Sequence, residues 1–182
     1  MPRVSVVLTS LYPGEYLRKT VDAVLNQTFR DLDLLICGDD PEAVSRSVAS
    51  GRPDPRIKAW RGDGARRGAL GVGSAVSETA TGEYIATLGS GDIWALDKLE
   101  REVVYLDGHP DVGAVFSRRQ PKSKQGLAAA GDCREPLDRW RWGRLRELFR
   151  GQHPYGDFGM LVRRQCLRDA GAYRSGLAMP RC

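Results

Sequence analysis

Polar residues able to bind a ligand follow three apolar runs of the sequence, each at the point where the run ends. The three clusters are Thr9-Ser10, Asp39-Asp40 and Ser90-Gly91-Asp92. Their hydroxyl and carboxylate groups form hydrogen bonds, and the carboxylates can also bind metal ions. In an open parallel sheet, ligands bind beyond the carboxyl ends of the strands. If the apolar runs are neighbouring parallel strands, the clusters meet at one edge and predict a binding site there.

The rest of the chain supplies the elements that must position these clusters. The predicted strands are 4–8, 33–37, 57–60, 82–88, 112–116 and 159–162, and the predicted helices are 15–26, 42–49, 97–107, 137–150 and 165–170. A weakly helical stretch ends near residue 80, and residues 118–135 predict a mobile loop. In helix 97–107 we expect the apolar residues on one face and the charged residues on the opposite face. Strand-helix alternation indicates βαβ units, hence an α/β fold with a mostly parallel sheet and helices on both faces.

The length of 182 residues is enough to bury a core, and we expect residues 1–182 to form a single domain. The apolar runs are all shorter than the roughly 18 residues that a membrane span needs. The first run is too short for a signal peptide and is followed by no small-residue cleavage site. The predicted location is therefore cytoplasmic.

The cysteines and histidines argue against two kinds of site. Four cysteines are scattered without metal-type spacing, and the two histidines both precede prolines. This pattern is not that of a structural zinc site or of a Cys/His nucleophile. Cys37 lies within an apolar run, and we expect it to be a small buried hydrophobic residue.

The net charge of +5 and the isoelectric point near 9.2 suit a protein that binds anions. Nucleic acid, anionic lipid and a nucleoside diphosphate all fit this charge. No nucleic-acid partner is expected, because the sequence has no basic-aromatic sheet face and no known nucleic-acid motif. The Arg- and Trp-rich segment 137–150 fits three roles: docking on a partner chain or a second copy, closing the domain's own core, or peripheral contact with the inner face of an anionic membrane.

Several motifs together resemble those of family 2 glycosyltransferases. They occur in the family's order over nearly the whole chain: Val4–Ser10 with Gly14–Leu17, Val24–Phe29, Gly82–Ile85, Asp92–Trp94 with Asp97–Leu99, Leu106–Pro110, and Met160–Arg164 with Gly171–Tyr173. The resemblance implies a GT-A fold, a Rossmann-like α/β/α sandwich. It also implies binding of a nucleoside-diphosphate sugar, most simply a UDP-sugar, and transfer of the sugar with inversion, with no organic cofactor.

The resemblance assigns the nucleoside to the ends of the first two strands, at Thr9, Ser10 and Asp39. An Asp can accept a hydrogen bond from the ring N–H of a uracil-like base, and a hydroxyl can donate to its carbonyls. Asp40 is a further candidate for the same nucleotide. Both aspartates also fit a solvated turn or a helix cap before Pro41.

The same resemblance brings Arg67, in the run Arg66-Arg67-Gly68, close to the diphosphate. Guanidinium groups there could bind phosphate oxygens through paired hydrogen bonds, although a solvated basic loop is an equally good interpretation. Ser90, after the fourth strand, is a further nucleotide-binding candidate.

The sequence departs from the family at the metal motif. The family usually has an Asp-x-Asp here that holds Mn²⁺ or Mg²⁺ against the diphosphate. This chain has Gly89-Ser90-Gly91-Asp92, so the defining pair is replaced by glycines. Asp92 is the one remaining metal-ligand candidate, and we expect no preformed metal site.

A second departure concerns the catalytic base, the carboxylate that takes the proton of the acceptor hydroxyl. In the family it follows the Gly-Gly-Phe/Tyr landmark, whereas here no acidic residue follows Asp169. Asp157 is an internal candidate for the base, and it also fits a loop cap. We therefore expect residues 1–117 to form a nucleotide-sugar-binding core and residues 118–182 a partial acceptor-side region, truncated relative to the family.

Three functions remain open from the sequence. The chain binds a nucleotide sugar with weak or lost transfer activity; it completes an active glycosyltransferase together with a partner chain; or it is a non-catalytic scaffold with the same fold. Whether it is an enzyme is not decided by its residues.

Overall fold

A computed structural model describes residues 1–9, 15–37, 54–60, 79–89, 92–117, 122–123, 126–127 and 159–169. Its strands are β1 Val4–Thr9, β2 Leu32–Cys37, β3 Ile57–Trp60, β4 Tyr84–Gly89, β5 Ala114–Phe116, β6 Lys122–Ser123, β7 Gly126–Leu127 and β8 Met160–Arg163. Its helices are α1 Glu15–Leu25, α2 Lys98–Gly108 and α3 Arg164–Asp169. The predicted helices 42–49 and 137–150, and most of the weakly helical stretch before residue 80, lie outside the described residues.

Six of these strands form one sheet, in the order β3-β2-β1-β4-β8-β5. The pairs β1–β2, β1–β4 and β2–β3 are parallel, whereas β8 runs antiparallel to both of its neighbours. The predicted α/β fold with a mostly parallel sheet is confirmed. The antiparallel strand β8 lies between β4 and β5, an order that follows from contacts far apart in sequence.

Both faces of the sheet are buried, as continuous runs of Val, Leu and Ile require. On one face, α1 and α2 pack on alternate residues of the strands; this cluster includes Val6, Leu8, Leu34, Leu17, Val21, Leu99 and Val103. On the other face the cluster includes Val7, Leu35, Cys37, Ile85, Cys166 and Leu167, with the last two contributed by α3. Cys37 is thus a buried core residue, as predicted, and burial raises the pKa of its thiol to about 12.

Two local differences from the predicted elements have physical causes. β4 begins at Tyr84 rather than at Gly82, because Gly82 packs directly on β1: its N–H donates to Ser5 Oγ over 2.9 Å, and a Cβ there would lie 2.5 Å from the Ser5 nitrogen. Within the segment predicted as a loop, β6 and β7 pair as a short antiparallel hairpin.

Among the described residues, no helix has the length and apolar content that crossing a membrane requires.

Candidate functional site

The ends of four strands lie in one row at the carboxyl edge of the sheet. Trp60 at the end of β3 pairs with Cys37 of β2, Cys37 pairs with Thr9 of β1, and Thr9 pairs with Gly89 of β4. The three polar clusters singled out in the sequence begin at or directly after these positions. Four predicted site residues there, Ser10, Asp39, Asp40 and Ser90, lie outside the described residues, as do Arg67 and Asp157.

The row contains the point where the strand order reverses. From β1 the chain proceeds to β2 and β3 on one side and then returns to β4 on the other side of β1. In open α/β sheets the crevice for a ligand lies at this reversal, because the connections leave the two strand ends in opposite directions. Thr9 and Gly89 occupy the two neighbouring strand ends, so a ligand crevice is expected between them.

Thr9 is half-buried, and its hydroxyl makes one long hydrogen bond, Oγ1 to the carbonyl oxygen of Leu88 at 3.4 Å. Hydroxyl hydrogen bonds are usually near 2.7–2.8 Å, so this contact is weak. A ligand carbonyl at the strand end would compete with it easily. The position of Thr9 therefore agrees with the binding role expected from the sequence.

Asp92 closes a turn directly beyond β4. Its backbone N–H donates to the carbonyl oxygen of Gly89 over 3.2 Å, and the Gly89 N–H donates to Asp92 Oδ2 over 3.3 Å. The carboxylate thus bonds back to the strand end that precedes it. This contact stabilises the turn that follows β4.

The described residues do not fit a preformed site for Mn²⁺ or Mg²⁺. Gly89 has no side chain, and the described part of the chain has no group of three or more His, Cys, Asp or Glu residues close enough to share a metal ion. Divalent cations of this kind require several oxygen ligands in near-octahedral geometry. With the Asp92 carboxylate bonded to the Gly89 N–H, the described residues supply no such set.

A buried ion pair lies in the first turns of α2. Lys98 Nζ contacts Glu102 Oε2 at 2.6 Å and lies 4.2 Å from the ring centroid of Trp94. The other Glu102 oxygen accepts a hydrogen bond from Ser117 Oγ, just past β5. Burial lowers the pKa of Lys98, and the attraction of Glu102 opposes this effect. The sequence predicted these charges opposite the apolar face of the helix, but it did not predict that Lys98 and Glu102 are buried with their charges paired inside the fold.

Gln27, two residues past the end of α1, is a further buried polar residue, and the sequence did not predict a site role for it. It is fully buried, and its side chain bonds to the carbonyl oxygen of Ala95, in the segment between Asp92 and α2, and to the backbone N–H of Leu99, in the first turn of α2. Gln27 lies within the run Val24–Phe29 that resembles the family, but the resemblance gives this residue no role of its own. Its pairing partners are about 70 residues away, so no local pattern could have predicted them.

The family comparison matches nearly the whole chain. A family model described as glycosyl transferase family 2 matches residues 5–171. Among curated proteins, the chain is 33% identical over 100 residues to the UDP-Glc:alpha-D-GlcNAc-diphosphoundecaprenol beta-1,3-glucosyltransferase WfgD of Escherichia coli. That alignment covers 55% of this chain and 39% of WfgD.

Two solved structures share the fold. One is the mannosyltransferase PcManGT from Pyrobaculum calidifontis in complex with GDP-Man and Mn²⁺, with a TM-score of 0.66 and 20% identity. The other is S. aureus TarS 1-349 in complex with UDP-GlcNAc, with a TM-score of 0.67 and 13% identity. Each similarity covers 93% of this chain and 47% of the other. The chain therefore spans less than half the length of the proteins that it matches.

Proposed function

The chain belongs to glycosyl transferase family 2, as its motifs predicted, and we propose that it binds a nucleoside-diphosphate sugar at the carboxyl edge of its sheet, between β1 and β4. The observation that carries this proposal is the row of strand ends formed by Cys37, Thr9 and Gly89 at the reversal of strand order. Such a reversal is where open α/β sheets bind nucleotides.

In this proposal, Thr9, Ser10 and Asp39 hold the nucleoside. Asp39 accepts from the ring N–H of the base, and the two hydroxyls donate to its carbonyl oxygens. Asp40 lies beside Asp39 in sequence and contacts the same nucleoside. The weak internal bond of the Thr9 hydroxyl supports this role, because little is lost when the hydroxyl turns to a ligand.

The diphosphate lies on the β4 side of the crevice, with Arg67 and Ser90 as its partners. A guanidinium group binds phosphate oxygens through paired, charge-assisted hydrogen bonds. The net charge of +5 favours such an anion. UDP is the proposed nucleotide, since TarS is seen with UDP-GlcNAc and WfgD is named for UDP-Glc, whereas PcManGT is seen with GDP-Man.

Binding in this chain proceeds without a preformed metal site. Mn²⁺ accompanies the nucleotide sugar in PcManGT, but here Gly89 replaces a ligand and Asp92 bonds back to the strand. The contacts of the protein's own side chains then carry the affinity. Asp157 is the proposed residue for taking the proton of an acceptor hydroxyl.

A titration of UDP, UDP-glucose and GDP into the protein by calorimetry, with Mn²⁺ and with a chelator, tests this function. We expect UDP to bind with a Kd that changes less than about threefold between the two conditions, because the described strand ends do not provide the set of oxygen ligands that would couple the metal to binding. Asp39→Ala is expected to weaken UDP binding, whereas Asp111→Ala, an exposed aspartate past α2, is the matched control. The absence of UDP binding at millimolar ligand would refute the proposal.

A second candidate function is nucleotide-sugar binding without transfer, as a scaffold or as a subunit that completes a glycosyltransferase with a partner chain or a second copy through residues 137–150. Glycine at position 89 favours it, because a strand end without a carboxylate loses the means of stabilising the leaving diphosphate through a metal. Release of UDP from UDP-glucose distinguishes the two. Turnover by the isolated chain that is lost in Asp157→Asn supports transfer, and binding with no turnover supports the second candidate.

A further inference from the structure

Gln27 connects two distant parts of the chain through a fully buried amide. Its Nε2 donates to the carbonyl oxygens of Ala23 at 3.0 Å and Ala95 at 2.7 Å. Its Oε1 accepts from the backbone N–H of Leu99 at 3.0 Å. Both amide protons and the amide oxygen are therefore used, with none of the residue's surface exposed. A methionine of similar length would fill the same space without these bonds.

The bond to Leu99 caps α2 from outside the helix. Asp97 occupies the N-cap position of α2, yet its side chain makes no capping hydrogen bond. The first N–H groups of a helix have no partner within the helix and need one from elsewhere. Gln27 provides it for Leu99 across 72 positions of sequence. The start of α2 is thus fixed by the residue that follows α1.

The neighbouring residue strengthens the same connection. The Thr28 N–H donates to the carbonyl oxygen of Leu96 over 2.9 Å, so the backbone at Ala95 and Leu96 is held by two consecutive residues. At its other end, the segment from Asp92 begins in the turn closed on Gly89. Residues 92–97 are therefore held at both ends, by the strand end of the crevice on one side and by Gln27 on the other.

We propose that Gln27 is a positioning residue of the donor site: it fixes residues 92–97 and, through the Gly89–Asp92 turn, the β4 side of the crevice where the diphosphate binds. This inference rests on the proposed nucleotide function. It explains how the β4 side keeps a defined shape without a metal ion to organise it. The proposal also distinguishes the two halves of the ligand, because the nucleoside contacts are proposed at the ends of β1 and β2, whereas the hydrogen bonds described for Gln27 join it to Ala23, Ala95 and Leu99.

Gln27→Met tests the proposal through two ligands, UDP and uridine, titrated into the full chain under conditions where the variant is folded. We expect the affinity for UDP to fall about tenfold, equivalent to about 1.4 kcal/mol, while the affinity for uridine changes less than about twofold. A purely structural role would lower the folded fraction and weaken both ligands equally. Gln27→Glu keeps the acceptor for Leu99 and loses the donors to Ala23 and Ala95, so its loss of UDP affinity should be intermediate.

Tyr84→Phe is the matched control, because it removes a hydrogen bond to Asp107 at the opposite edge of the sheet and should leave the ratio of UDP to uridine affinity unchanged. Hydrogen exchange of the Leu99 amide in the absence of nucleotide gives an independent readout, and it should speed up in Gln27→Met more than the amides of β1 do. If the wild-type protein binds UDP and the Gln27→Met ratio equals the wild-type ratio, the positioning role is overturned while the proposed function stands. If the wild-type protein binds neither ligand, the proposed function fails first and the positioning role fails with it.

Discussion

The hydrogen bonds differ between the two edges of the central sheet, the amino edge where the parallel strands begin and the carboxyl edge where they end. At the amino edge, Arg3 donates to Asp107 at 2.8 Å and to Glu83 at 3.2 Å, and the Tyr84 hydroxyl donates to Asp107 at 2.6 Å. At the carboxyl edge, the hydrogen bonds described for Thr9 and for the Gly89–Asp92 turn are 3.2 to 3.4 Å long. The shortest of these bonds, those to Asp107 at the amino edge, are thus shorter than the bonds described for Thr9 and the Gly89–Asp92 turn at the carboxyl edge.

Arg163 adds further hydrogen bonds at the amino edge. Its guanidinium group donates to the carbonyl oxygens of Leu106 and Val112 and, over 3.2 Å, to the Tyr84 hydroxyl. A cationic side chain at the last carbonyls of a helix stabilises the helix end, here that of α2. Since these polar atoms are already paired with one another, a ligand at this edge would have to break existing bonds. This difference favours the carboxyl edge as the place of the proposed nucleotide site.

The edges also differ in where their charges lie. The ion pairs of Arg3 at the amino edge are about 40–50% exposed on each side, whereas the pair of Lys98 and Glu102, in the half of α2 nearer the crevice, is 5% and 11% exposed. Exposed ion pairs contribute little to stability, and breaking a buried pair leaves an uncompensated charge. Charge removal should therefore have very different consequences at the two edges.

The largest expected effect is that of Lys98→Met. Removing the ammonium group leaves the Glu102 carboxylate buried without its cation, which should lower the free energy of unfolding by about 3–5 kcal/mol. Urea denaturation at neutral pH measures the loss. The double variant Lys98→Met/Glu102→Met should recover much of it, because both charges are then absent.

Arg101→Met is the control for this prediction. Arg101 belongs to the same helix and pairs with Asp97 at 3.6 Å, but its side chain is 69% exposed. Its replacement should change the stability by less than about 0.5 kcal/mol. Equal losses for Lys98→Met and Arg101→Met would contradict the distinction between buried and exposed charge.

The sheet was predictable from the sequence because its strands are continuous apolar runs between turn signals. The limits of β3 were predicted without error, and those of β1, β2 and β4 were within two residues. The position of β8 was not predictable, since a four-residue strand enters the sheet between β4 and β5 through contacts that no local pattern records. The burial of Lys98 was missed for a similar reason. Helical spacing predicts on which face of the helix a charged residue lies, but not whether a buried partner pairs with it.

The candidate site, like the sheet, was predictable only in part. The ends of the first and fourth strands were expected to lie at one edge, and Thr9 pairs with Gly89 there, whereas the binding roles of the residues at this edge stay predictions. Gln27 could not be found, because its role depends on Ala95 and Leu99, which approach it only in the folded chain. Strand ends can be read from a sequence, whereas the buried contacts that support them cannot.

A smaller effect is expected at the crevice itself. Thr9→Val keeps the shape and the strand preference of the side chain, so the stability should change by less than about 0.5 kcal/mol. The affinity for uridine should fall about threefold to tenfold, because one neutral hydrogen bond is lost. Calorimetric titration with uridine measures it. Ser5→Ala, at the other end of β1, should show the reverse pattern: lower stability, since it removes the partner of the Gly82 N–H, and an unchanged affinity.

The smallest effect is expected at the amino edge, in the dependence of stability on pH. Hydrogen bonds from Arg3, and next from Tyr84, hold the pKa of Asp107 below its ordinary value of 3.8. Because the folded pKa is the lower one, this carboxylate stabilises the fold above about pH 4, and the contribution is lost as the pH falls through the folded pKa. Asp107→Asn should therefore be less stable than the wild type at pH 7, by less than about 1 kcal/mol for so exposed a group, and the gap should close toward about pH 3. Unfolding curves at several pH values measure the gap, and Arg3→Met should flatten the same dependence by removing the main donor. If the difference in the free energy of unfolding between the wild type and Asp107→Asn stays constant from pH 7 to about pH 3, this charged network does not stabilise the amino edge.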